Sequence, residues 1–89
     1  MPRVSAFYGI SIYMYFDETE HEGRPHFHAR HAGRWASFAI DPLHLLANGL
    51  TGRDVQLVLE WAEEHRDELL GNWERARRHA RLARIAPLT

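Results

Sequence analysis

The alternation of apolar and polar side chains in the N-terminal half constrains the fold more than any other feature of the chain. In residues 9–16 (GISIYMYF), isoleucine, methionine or phenylalanine occupies every second position, and Ser11, Tyr13 and Tyr15 lie between them. A period of two is typical of a β-strand with one buried face. Residues 3–8 are expected to extend this strand or lead into it.

Two further segments alternate in the same way. In residues 26–31 (HFHARH), Phe27 and Ala29 take one side, and the first two histidines and the arginine take the other. Residues 34–41 (RWASFAID) alternate too, and Pro42 is expected to end that strand because proline has no N–H for the sheet. The polar loop DETEHEGR separates the first strand from the second.

The second half of the chain predicts helix. Thr51 to Asp54 has the spacing of an N-cap followed by an acid at the third helical position. Apolar residues then recur at helical spacing, which predicts one long helix or two helices broken near residues 65–67. The members of this stripe are Val55, Val58, Ala62, Leu69, Trp73 and Ala76.

These elements predict a single α+β domain over residues 1–89. Its small antiparallel sheet has three to four strands in the N-terminal half, the fourth being residues 43–49 (LHLLANG). A long or kinked C-terminal helix packs on one face of the sheet. The tail, residues 82–89 (LARIAPLT), is expected to leave the helix and return as an extended edge segment.

Composition excludes several classes of function. The chain has no cysteine, so disulfides and thiol nucleophiles are excluded and any metal site must use His, Asp or Glu. The net charge of −1 argues against a strongly basic nucleic-acid binder. No stretch approaches the roughly 20 apolar residues of a membrane span. We therefore predict a soluble, cytoplasmic protein with no membrane contact.

Charge is unevenly distributed along the predicted helix. Residues 75–84 (RARRHARLAR) contain five arginines and no acid. Such a segment is typical of a solvated helix end, where cations complement the helix dipole. The alternative is an anion or RNA contact through Arg77, Arg78 and Arg81.

Strand alternation collects an unusual set of side chains on the face opposite the helix. The set comprises Tyr13, Tyr15, His26, His28, Arg30, Trp35 and Asp41. One interpretation is a metal site, because His26 and His28 are close neighbours on a strand and His21 or Asp17 of the preceding loop could join them. Nitrogen and oxygen ligands of this kind suit zinc or another divalent transition metal.

Two other functional interpretations use the same face. In acid–base chemistry, His26 and His28 would act as base and acid and Arg30 would clamp the phosphate during metal-free cleavage of RNA. As a binding face, Tyr13, Tyr15 and Trp35 would stack on single-stranded RNA or DNA or contact a protein partner.

The near-zero net charge favours the protein partner, and the edge strand and aromatic face allow a homodimer. The structural alternative is that His26 and His28 stabilise the sheet by hydrogen bonds to the loop. His31 falls on the core side at the end of its strand and is left out of the set.

Four segments carry a family resemblance and together cover nearly the whole chain: FYGISIYMYF, RPHFHAR, LVLEWAEEHRDELLGNWERA and IAPL. In these segments the chain resembles the small prokaryotic proteins grouped as domain of unknown function 4160. Residues 26–29 (HFHA) match directly. Members of the family carry a histidine in a turn with acidic residues, followed by two prolines before HFHA. Here the loop is longer and only Pro25 remains. The correspondence of His21 to the family's histidine therefore spans loops of different length.

The resemblance implies a genetic context rather than a chemical activity. Such proteins are similar in size to components of toxin–antitoxin modules and tend to be encoded next to another small protein of unknown function. The resemblance therefore implies that the partner is a cognate small protein. The implied activity is either interference with RNA or translation, or neutralisation of such interference.

Overall fold

A computed structural model of the protein describes residues 2–16 and 23–89. Within these residues, five strands form one antiparallel sheet in which each strand pairs with the next along the chain. The strands are β1 (Arg3–Phe7), β2 (Ile10–Tyr13), β3 (His26–His31), β4 (Arg34–Ile40) and β5 (Leu43–Asn48).

Two tight turns set the direction of the meander. Tyr8 and Gly9 have φ angles of 49° and 81°, and Ala32 and Gly33 have φ angles of 53° and 78°. Two-residue turns with positive φ at both positions match the twist of paired strands and so connect β1 to β2 and β3 to β4. Because the sheet is a meander, both turns and the end of β5 lie at the same end of the sheet.

Two helices follow the sheet. Helix α1 (Gly52–Glu64) begins at Thr51, whose Oγ1 accepts the N–H of Asp54 at 3.2 Å. Helix α2 (Arg66–Arg77) begins after His65, whose φ of −121° and ψ of 24° interrupt the helical path. The N-cap at Thr51 is confirmed, and of the two predicted alternatives the structure has two helices broken near residue 65 rather than one long helix. No helix in the described part of the chain is long and apolar enough to span a membrane.

The core lies between one face of the sheet and the helices. The predicted inward side chains of β2, β3 and β4 are fully buried, and Trp61 of α1 contacts Phe7 and Phe27. The predicted inward set is confirmed for Ile10, Ile12, Met14, Phe27, Ala29, Phe38 and Ile40. Phe16, which was predicted among them, is partly buried and contacts Trp73 of α2.

The prediction of three to four strands is wrong, because the sheet has five. Residues 3–8 were expected to extend or lead into the strand that follows. Instead the positive φ angles of Tyr8 and Gly9 reverse the chain, so Arg3–Phe7 becomes a separate strand. The predicted fourth strand exists as the fifth, and the helical region forms two helices.

The C-terminal tail returns to the sheet beside β1. The N–H of Ile85 donates to the carbonyl of Val4 at 2.8 Å, and the Ile85 side chain is buried. The indole N–H of Trp61 donates to the carbonyl of Ala86 at 2.8 Å. The tail therefore covers the β1 edge of the sheet.

Candidate functional site

The structure brings together most of the side chains predicted on the outer face of the sheet. Strand register places Tyr13 beside His28, and Arg30 beside Trp35. These four residues and Tyr15 are called the aromatic sheet surface below. Their proximity follows from the pairing of β2, β3 and β4, because cross-strand neighbours on one face of a sheet are close enough to touch.

The rings of the aromatic sheet surface pack against one another. The ring centroids of Tyr13 and Trp35 are 5.5 Å apart, and Tyr15 stacks on His28 at 5.1 Å with an angle of 9° between the planes. The guanidinium carbon of Arg30 lies 5.7 Å from the centre of the Trp35 ring, within the range of a cation–π interaction. Trp35 is 38% exposed despite these contacts.

His26 does not lie on the exposed surface where strand alternation placed it. The side chain is 0% exposed, and its ring centroid is 5.1 Å from Trp73 of α2 and 5.2 Å from His28. Its Nδ1 donates to the carbonyl of Arg24 at 2.7 Å. His26 therefore lies between the helical layer and the half-buried His28, and its predicted role as acid, base or ligand stays a prediction.

Half of the predicted metal-ligand set is placed by the structure. His26 and His28 are neighbours, whereas Asp17 and His21 lie outside the described residues. Within the described ranges, no group of three or more His, Asp or Glu side chains is arranged to hold a metal ion.

The predicted arginines of the C-terminal segment have different surroundings. Arg77 pairs with Glu74 of the same helix at 2.9 Å, and Nε of Arg78 lies 3.4 Å from the carbonyl of Glu74. Arg81 lies in the tail, is exposed, and makes no ion pair with the residues that the structure describes. Arg77 and Arg78 thus contribute to the end of α2, as expected for cations near a helix C-terminus.

Sequence reasoning missed the pairing of His31 with Asp54. Nδ1 of His31 donates to Oδ2 of Asp54 at 2.6 Å, and the side chains are 36% and 4% exposed, respectively. Asp54 was predicted as an acid in the first turn of the helix, and His31 as an inward residue at a strand end. Neither periodicity nor capping could join two positions that are 23 residues apart.

One comparison with known proteins gives a match. The family model described as "Domain of unknown function (DUF4160)" matches residues 9–74, from the start of β2 to the last turns of α2. No curated protein and no solved structure matches the chain.

Proposed function

The chain belongs to the family described as domain of unknown function 4160, and from this starting point we propose that it is a toxin–antitoxin-like protein that binds a cognate small protein through the aromatic sheet surface. The partner would be the small protein encoded beside it. The absence of cysteine is compatible with the reducing cytoplasm, which is the location that we propose.

The observation that carries this proposal is the packing around Trp35. Its ring is held by Tyr13 on one strand and Arg30 on another, yet more than a third of its surface faces solvent. Tryptophan, tyrosine and arginine dominate the binding energy of protein interfaces. Side chains that are already packed in the free protein lose little conformational freedom on binding.

Charge supports a protein partner rather than a nucleic acid. Among the residues of the aromatic sheet surface, only Arg30 carries a permanent positive charge, and the whole chain has a net charge of −1. Binding to nucleic acid depends mainly on several arginine or lysine contacts to phosphates. One arginine beside aromatic rings is better suited to a protein surface with acidic and apolar groups.

The test is co-expression of the chain with the product of the adjacent gene, followed by titration calorimetry of the purified pair. Trp35→Ala should weaken binding by about 30-fold or more, as truncation of an interface hot spot does. Tyr8→Ala is the matched control, because Tyr8 is 53% exposed but lies outside the aromatic sheet surface. Equal binding by the Trp35 variant and the parent protein would contradict the proposal.

A second candidate function uses His26, His28 and Arg30 for cleavage of RNA or for metal-dependent hydrolysis. It is supported by the 5.2 Å separation of the two imidazole rings. RNA cleavage by the purified protein that is lost in His28→Ala, with the fold retained, would favour this candidate over partner binding. The metal-dependent form further requires about one equivalent of a transition metal in protein purified without an affinity tag.

A further inference from the structure

A second polar site lies at the end of the sheet where the two hairpin turns and the start of α1 meet. A cavity of about 360 Å³ opens there between the β3–β4 turn and the first turn of α1. Its lining includes His31, Arg34, Thr51, Arg53 and Asp54. Of these residues, only Thr51 and Asp54 belonged to a sequence motif, and that motif accounts for the helix cap alone.

The ring of His31 is held in place from two sides. Asp54 accepts the Nδ1 proton at 2.6 Å, and Oδ1 of the same carboxylate lies 3.2 Å from Arg53. On the other side the ring packs against Gly9, where a Cβ atom would come within 2.8 Å of Nε2. No residue in the described ranges hydrogen-bonds to Nε2. The imidazole is therefore oriented by a buried carboxylate, and its Nε2 is available to contact another group.

The charges around the cavity are mostly positive. Arg34 and Arg53 are both exposed, and Arg34 makes no ion pair with any residue that the structure describes. The single carboxylate of the cavity, Asp54, is buried and already contacts His31 and Arg53. The N-terminus of α1 adds a partial positive charge at the same place. This set of groups offers donors and positive charge to an anion.

We propose that this cavity binds a phosphate group, with Arg34 and Arg53 as its charged donors and Nε2 of His31, oriented by Asp54, as a third contact. Guanidinium groups match the geometry of phosphate oxygens, and the hydrogen bond to Asp54 fixes the orientation of the His31 imidazole. The site shares no residue with the aromatic sheet surface, so it goes beyond partner binding and can fail or succeed independently of it.

Titration calorimetry of the full chain with inorganic phosphate tests the site. Arg34→Gln and Arg53→Gln should each lower the affinity by about tenfold or more, because each removes a charge-assisted hydrogen bond. Arg81→Gln is the matched control, an exposed arginine of the tail. Circular dichroism should show that all three variants stay folded, since substitutions of exposed side chains change stability little. Absence of saturable binding, or equal loss in the control, overturns the proposal.

A parallel titration with a short single-stranded RNA identifies the source of the phosphate. If RNA binding weakens in Arg34→Gln and Arg53→Gln but persists in Arg81→Gln, the ligand is a phosphate of the nucleic-acid backbone. If inorganic phosphate binds and the RNA does not, the ligand is a small phosphate compound. His31→Gln should weaken phosphate binding in either case, and unchanged affinity in that variant would remove His31 from the site.

Discussion

Asn72 and Ala83 exchange two hydrogen bonds that attach the C-terminal tail to α2. The side-chain nitrogen Nδ2 of Asn72 donates to the carbonyl of Ala83 at 2.8 Å, and the backbone N–H of Ala83 donates to Oδ1 of Asn72 at 2.8 Å. Asn72 is 1% exposed. One buried side chain thus satisfies both backbone groups of a residue that belongs to no helix or strand.

We expect Asn72→Ala to lower the free energy of unfolding by about 2–3 kcal/mol, because it removes both bonds and leaves two backbone groups unsatisfied. For a domain of this size the melting temperature should fall by roughly 10 °C or more. Thermal and urea unfolding followed by circular dichroism measure the change. Gln56→Ala, on the exposed face of α1, is the control and should change the free energy by no more than about 0.5 kcal/mol.

Gly9 and Gly33 provide a matched pair for separating backbone strain from steric overlap. Both have positive φ, at 81° and 78°, and both lie in two-residue hairpin turns. A Cβ atom at Gly33 would meet nothing within 4 Å, whereas one at Gly9 would approach Nε2 of His31 to 2.8 Å. The ring of His31 is held by Asp54 at 2.6 Å, so a shift away from Gly9 would strain that hydrogen bond.

Gly33→Ala should therefore cost about 1–2 kcal/mol of stability from backbone strain alone, and Gly9→Ala should cost at least about 1 kcal/mol more. Urea unfolding of both variants gives the comparison. Introducing Gly9→Ala into a His31→Ala background should bring its cost down to that of Gly33→Ala. Equal costs for the two glycines in the parent protein would show that His31 adapts freely.

The pair formed by His31 and Asp54 should stabilise the contact between β3 and α1. A double-mutant cycle with His31→Ala and Asp54→Ala measures it, and we expect a coupling energy of about 0.5–3 kcal/mol, the range for residues in direct contact. Thr51→Ala is the reference for the cap alone and should cost about 1 kcal/mol, because it removes only the side-chain acceptor of the first turn. A coupling near zero would mean that the observed hydrogen bond does not contribute to stability.

Local patterns were sufficient to predict the inward face of the sheet and the N-cap at Thr51, and they gave a helix break near His65 as one of two alternatives. Each of these features depends on neighbours within a few positions, so one short segment contains all the information. The same method failed at Tyr8 and Gly9. A turn with positive φ at a tyrosine has no distinctive pattern in the sequence, so residues 3–8 were expected to extend or lead into the following strand and not to form a strand of their own.

The candidate site was predictable only in part, for a physical reason that His26 illustrates. Alternation shows which side chains of a strand share one face of the sheet, and it correctly placed His28 on the same face as Trp35. It does not say which distant element packs over the end of the strand, and here that element is Trp73 of α2. The bond between His31 and Asp54 is likewise a tertiary contact, between a strand end and a helix start.

The burial of His26 gives the last prediction. Its side chain is 0% exposed and packs between Trp73 and His28, whereas His28 is half-buried and His44 on β5 is exposed. His26→Ala should lower the free energy of unfolding by about 2–4 kcal/mol, because truncating a fully buried side chain leaves a cavity in the packing. His28→Ala should cost less, and His44→Ala should change stability by no more than about 0.5 kcal/mol.

This order has a consequence for any functional assay of the two central histidines. Loss of activity in His26→Ala at 37 °C would reflect partial unfolding unless the free energy of unfolding is measured in the same preparation. His28→Ala keeps more of the packing, so its activity relative to its stability is the better indicator of a chemical role. If His26→Ala proved as stable as His44→Ala, the packing of His26 against α2 would contribute nothing, and a functional explanation for its presence would gain weight.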